Sequence, residues 1–163
     1  MTPGNRQLRT SFAGRMFRHR TKNILFLEET GFKLHTPIKY GYSTINTDAV
    51  MYQTASRGRN ISMCSIISIT GNGHNEILEG SFNSEHFLKI LKSCHEKSLF
   101  INNPVLVMDN VRFHHCEEII DFLYKKNICF LNLPPYSSDP NPIENFFSCV
   151  KRKLNAISPR ISF

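Results

Sequence analysis

The chain has 163 residues, 40% of them apolar, with 13 phenylalanines, so it can bury one sizeable domain core and is not a disordered polymer. Its net charge of +7 and pI near 9.3 favour a polyanionic partner. No apolar run approaches a membrane span, the Arg-rich start lacks the apolar stretch of a secretory signal, and the five cysteines include no C-x-x-C pair, so an intracellular protein with reduced, buried thiols is expected.

Residues 1–22 carry Arg6, Arg9, Arg15, Arg18, Arg20 and Lys22 with few aliphatics, and read as an exposed basic lead-in. Asn23–Glu28 is a short apolar run of strand length. Gly31 to Gly58 is rich in turn formers and predicts a hairpin or a long irregular insertion. Asn60–Thr70 is β-branched and apolar, a strand that Gly71-Asn72-Gly73 would end, with Ile77–Glu79 as a short return strand. Ser84–Lys97 has a helical stripe of Phe87, Leu88, Leu91 and Cys94, capped by Asn83 or Ser84.

Val105–Asp109 reads as the next strand and Cys116–Lys126 as a second helix, acidic at its start and basic at its end. Ile128–Leu133 is a further strand, stopped by Pro134-Pro135. A polar loop then leads to a last helix, with Asn141 as N-cap, Pro142 at its first position and a stripe of Ile143, Phe147, Val150 and Leu154. An antiparallel opening followed by strand–helix alternation predicts an α/β protein with a mixed sheet and helices on both faces.

Two acids fall where chemistry is usually done. Asp109 ends a buried strand, and catalytic groups of open α/β sheets gather at such carboxyl ends. It has an alternative role as a cap of the following turn. Glu144 comes 35 positions later, in the first turn of the last helix, where a capping-box glutamate also sits. Asp139, within Ser137-Ser138-Asp139-Pro140, reads as turn chemistry. Of Glu28 and Glu29, strand alternation lets only one face a common site. His114 fits a supporting role near Asp109 or a cap of the next helix. His114-His115-Cys116 is not expected to bind zinc, because adjacent residues rarely converge on one ion.

The blocks VLVMDNVRFHH around Asp109 and LPPYSSDPNPIENFFSCVKRKL around Glu144 carry a resemblance. FLEETGF at 26–32 and RGRNISMCSIISITGNG at 57–73 precede them in the same order. Over roughly residues 22–155 the chain resembles the catalytic core of mariner-type transposases, the DDE superfamily endonucleases. The resemblance implies a ribonuclease H-like fold with a mixed five-stranded sheet flanked by helices. It divides the chain into a basic lead-in or linker remnant (1–22), the catalytic core (23–155) and a C-terminal tail (156–163).

It also implies metal-dependent cleavage of DNA phosphodiesters and strand transfer. Glu28, Asp109 and Glu144 would be both the catalytic acids and the ligands of Mg2+ or Mn2+. The family's first acid is an aspartate followed by glutamate, and here Glu28 followed by Glu29 holds that place. The extra methylene shifts the carboxylate by more than ~1 Å, a misplacement that can cost on the order of 100-fold in rate. DNA would be held largely through its backbone, by cations such as Lys151, Arg152 and Lys153. A homodimer is allowed, no membrane is involved, and a eukaryotic member would work in the nucleus. Residues 1–22 cannot form the paired helix-turn-helix modules of such enzymes, and the family's core usually runs further than Phe163, so a truncated chain is expected. The alternative is a catalytically impaired relic or a co-opted DNA-binding protein without chemistry.

Overall fold

The computed structural model describes residues 3–33, 42–50, 59–135 and 141–157. Its five strands are β1 (Ile24–Lys33), β2 (Asn60–Ser68), β3 (Gly71–Glu79), β4 (Val105–Met108) and β5 (Cys129–Asn132). They form one mixed sheet in the order β3-β2-β1-β4-β5. β1 is antiparallel to β2, and β2 to β3, whereas β1, β4 and β5 run parallel. The helices are α1 (Pro3–Met16), α2 (Ser84–Glu96), α3 (Glu117–Lys125) and α4 (Pro142–Ile157).

Alternation along the strands assigns each side chain to a face. Leu25 and Leu27 of β1, with Ile66, Leu106 and Met108, pack with Phe87 and Leu91 of α2 and Ile119 and Leu123 of α3. On the other face, Ile24, Val105 and Val107 meet Phe12 of α1, and Ile67 meets Ile143 and Phe147 of α4. Burying one such aliphatic or aromatic side chain contributes about 1.5–3 kcal/mol. The helices therefore clamp the sheet from both sides, as the alternating elements predict. The last helix is anchored through Ile143 and Phe147, while Leu154 at the end of its stripe is exposed.

Four local expectations change. The basic lead-in is a helix over residues 3–16, because Phe12, with Met16 one turn on, is drawn onto the sheet beside Ile24. β1 continues past Glu28 to Lys33, since β2 offers it a partner as far as Asn60. The reversal after β2 lies at Ile69-Thr70 rather than at the glycines. Ser68 Oγ accepts from the Thr70 amide at 3.2 Å there, and Gly71 takes the φ of +122° that the turn's exit requires. β3 is accordingly nine residues long, not three.

Residues 42–50 hold a turn closed by Thr47 N donating to Thr44 O at 3.1 Å; the remainder of the expected insertion, residues 34–41 and 51–58, lies outside the described residues. Cys64 and Cys94 are buried, but Cys129 and Cys149 are exposed, so burial of the thiols holds only in part. Burial pushes the Cys94 thiol up to about 12 and, with the nearby Glu29 charge, the Cys64 thiol well above its ordinary value. Both stay protonated. Among the described residues, no helix is long and apolar enough to cross a membrane.

Candidate active site

The parallel register ends with Leu27 beside Met108, so Glu28, within β1, and Asp109, just past the end of β4, are the next residues of neighbouring central strands. Glu28 shares the parity of Ile24 and Phe26, which puts it on the α1/α4 face. There the first turn of α4 brings Asn141 and Glu144 to it. Asn141 is buried, and its Nδ2 donates to Glu28 Oε2 at 2.6 Å. The Glu28 carboxyl is pushed up to about 7, first by burial, then by the charges of Glu144 and Asp109, with the Asn141 hydrogen bond opposing. The three expected acids therefore feel one another. Their oxygens do not all come within 4.8 Å of each other.

Glu29 turns to the opposite face and meets His114, which lies in a short 3-10 turn (Arg112–His115) after β4. His114 is completely buried, stacked on Phe87 at 4.1 Å between ring centroids and flanked by Phe113. Its Nε2 is 3.1 Å from Glu29 Oε1. Its Nδ1 lies 3.0 Å from Asp109 Oδ1 and 3.2 Å from the Asp109 carbonyl oxygen. One N–H cannot point well at both, and it favours the carbonyl, leaving buried Asp109 Oδ1 without a hydrogen bond of good geometry. Burial alone would lower the His114 pKa, but Asp109 and Glu29 hold it up at about 9. Both ring nitrogens then carry protons, matching an acceptor on each side.

Glu29, Asp109 and His114 are also the one group of three among the described residues whose ligand atoms lie within 4.8 Å of one another. The contacts of 3.0–3.1 Å are hydrogen-bond and ion-pair distances, and a doubly protonated imidazole offers no lone pair to a metal. The trio is a clamp on Asp109. His114 thus has the supporting role, and its burial excludes a direct phosphate contact. His115 turns away to Asn110 Oδ1 at 2.7 Å.

On the α1/α4 side the donors are carboxylates. Asn141 Oδ1 is buried without a hydrogen-bond partner, Asp109 Oδ1 has only the His114 ion pair, and burial and the neighbouring acids push the Glu28 carboxyl up to about 7. Hard oxygen donors with surplus negative charge suit Mg2+ or Mn2+. The expected capping box does not form: the unpartnered Asn141 Oδ1 caps nothing, and the Glu144 amide donates to the Asn141 carbonyl oxygen at 3.3 Å. Glu144 itself is exposed. Asp139 and its loop lie outside the described residues.

Sequence reasoning missed two participants. Asn141 reads locally as an N-cap, and its partner is 113 positions away. Glu29 is signalled only by strand parity, which sends it to the face opposite the acids.

The family described as DDE superfamily endonuclease matches residues 23–162. The Mos1 Strand Transfer Complex superposes with a TM-score of 0.77 at 18% identity, over 92% of this chain and 47% of that one. The mariner Mos1 paired end complex with Mg gives 0.74 at 19%, over 92% and 48%. The catalytic domain of Mos1 mariner transposase gives 0.69 at 15%, over 93% and 70%. No curated protein sequence matches significantly. The chain spans about half the length of the Mos1 chains in the two complexes. The shared fold is ribonuclease H-like, with a mixed five-stranded sheet between helices. With the family match covering most of its length and that fold beneath it, the chain belongs to the DDE superfamily endonucleases.

Proposed function

We propose that this core cleaves DNA phosphodiester bonds and transfers strands, with Glu28, Asp109 and Glu144 as its catalytic acids and the ligands of two Mg2+ or Mn2+ ions. The observation that carries the reading is the meeting of these three carboxylates where the parallel pairing of β1 and β4 ends; burial first, and then the charges of Glu144 and Asp109, push the Glu28 carboxyl up to about 7. When bound, a pair of such ions about 3.5–4 Å apart activates the attacking oxygen and neutralises the departing one. Asp109, tethered by His114, would hold the ions together with Glu28 and Glu144. Glu28 would bind such an ion as the carboxylate. Glu144, exposed on the first turn of α4, closes the site from the solvent side. Lys151, Arg152 and Lys153 lie exposed further along α4 and hold the DNA backbone without reading its sequence.

In this reading residues 23–155 are the catalytic unit, 1–22 a basic linker remnant and 156–163 a tail. The chain works as a nucleus-resident protein if eukaryotic, and the paired-end complex of Mos1 is a reason to expect a homodimer on DNA. The test is nicking of supercoiled DNA with Mg2+ or Mn2+ by the parent and by Asp109→Ala. Metal-dependent nicking that the substitution abolishes supports the proposal. Salt-sensitive DNA binding with no nicking in either metal would leave a co-opted binding protein instead.

A further inference from the structure

Glu28 is one methylene longer than the aspartate that the resemblance to mariner-type transposases implies at this place. The structure supplies a second partner for it. Asn141 is 4% exposed, and Pro142, the residue after it, opens α4, so the side chain sits where an N-cap would serve the helix. It does not cap: its Oδ1 has no hydrogen-bond partner, while its Nδ2 donates to Glu28 Oε2 at 2.6 Å. An amide that forgoes a cap to grip a carboxylate on another element is positioned by that contact.

We infer that Asn141 is a positioning residue that fits this site to a glutamate at position 28, holding the longer side chain so that its remaining oxygen faces the metal-binding space beside Asp109. The inference rests on the metal-binding reading proposed above. An aspartate is shorter by one methylene, about 1.5 Å, so without backbone movement the 2.6 Å contact would open to roughly 4 Å, past hydrogen-bond reach. Asn141 and the length of the residue at 28 are therefore coupled. A merely structural Asn141 would be indifferent to that length.

The experiment is a double-mutant cycle read as Mn2+ affinity by calorimetry on the full chain, with Asp109→Ala as control and thermal melts to verify folding. Asn141→Ser is the primary variant, since serine still caps a helix but cannot reach Glu28; Asn141→Ala is the second. Loss of a ligand's hydrogen-bond partner typically costs 10–100-fold in metal affinity, so Asn141→Ser should weaken Mn2+ binding about 10-fold in the Glu28 protein. In the Glu28→Asp background the same change should cost less than about 2-fold, because little contact remains to be lost. Equal losses in the two backgrounds, or none in either, overturn the inference while Asp109-dependent Mn2+ binding leaves the metal reading standing. Absence of Asp109-dependent binding in the parent overturns both.

Discussion

Glu28 and Glu29 are the same amino acid at consecutive positions, yet the two faces of the sheet give them opposite chemistry. On the α2/α3 face, Glu29 meets a buried, doubly protonated His114, and its charge is balanced. On the α1/α4 face, Glu28 meets two more acids and only a neutral amide, and it retains a proton near pH 7. Neither residue's type decides its role. Strand parity does, together with what the elements beyond β4 bring to each face. One face is a finished scaffold; the other is charged in a way that a divalent cation would complete.

The sharpest break of that contrast is His114→Ala. It strips the scaffold face of its cation, leaving half-buried Glu29 and Asp109 without it, and should destabilise the protein by about 3 kcal/mol, read from urea unfolding. Glu28→Gln acts on the other face. It should cut metal-dependent nicking at least ~100-fold, a loss of about 2.7 kcal/mol in transition-state stabilisation, while leaving thermal stability at pH 8 unchanged or raised. A clear loss of stability would mean that Glu28 belongs to the scaffold after all.

The pH dependence separates the faces again. Glu28 rises from 4.5 to about 7, so its contribution to stability is complete below pH 4.5 and lost as pH climbs through 7. His114 rises from 6.5 to about 9, so its contribution is complete below pH 6.5 and lost by about 9. The melting temperature of the metal-free protein should fall by several degrees between pH 5 and 9. Glu28→Gln should flatten the lower part of that descent and leave the upper part. A profile that stays flat from pH 5 to 9 in the parent would contradict both assignments. The smallest effect expected is on DNA affinity: Lys151→Ala should reduce the slope of log affinity against log salt by about 1, measured by fluorescence anisotropy.

Much of this was legible in the sequence where signals are local. Asp109 after four apolar residues, Glu144 after Asn141-Pro142, and the amphipathic α2 and α3 all follow from short-range pattern. β3 did not, because it is an edge strand whose polar residues carry no period, and its two leading glycines look like a turn. α1 did not, because six basic residues between positions 6 and 22 obscure the single buried Phe12. The hold of Asn141 on Glu28, and of His114 on Glu29, joins residues 113 and 85 positions apart. Only the closed sheet brings such pairs together.

The strand order has a consequence for how the protein is made. β1 is the middle strand, but it is the first to leave the ribosome, and both strands that flank it come later. The β2–β3 hairpin can cover one edge early. The other, along Ile24–Leu27, stays unpaired until β4 emerges more than 70 residues on. A nascent or nicked chain halted before Val105 would therefore display an apolar strand with free backbone groups, the form most prone to stick to its own kind.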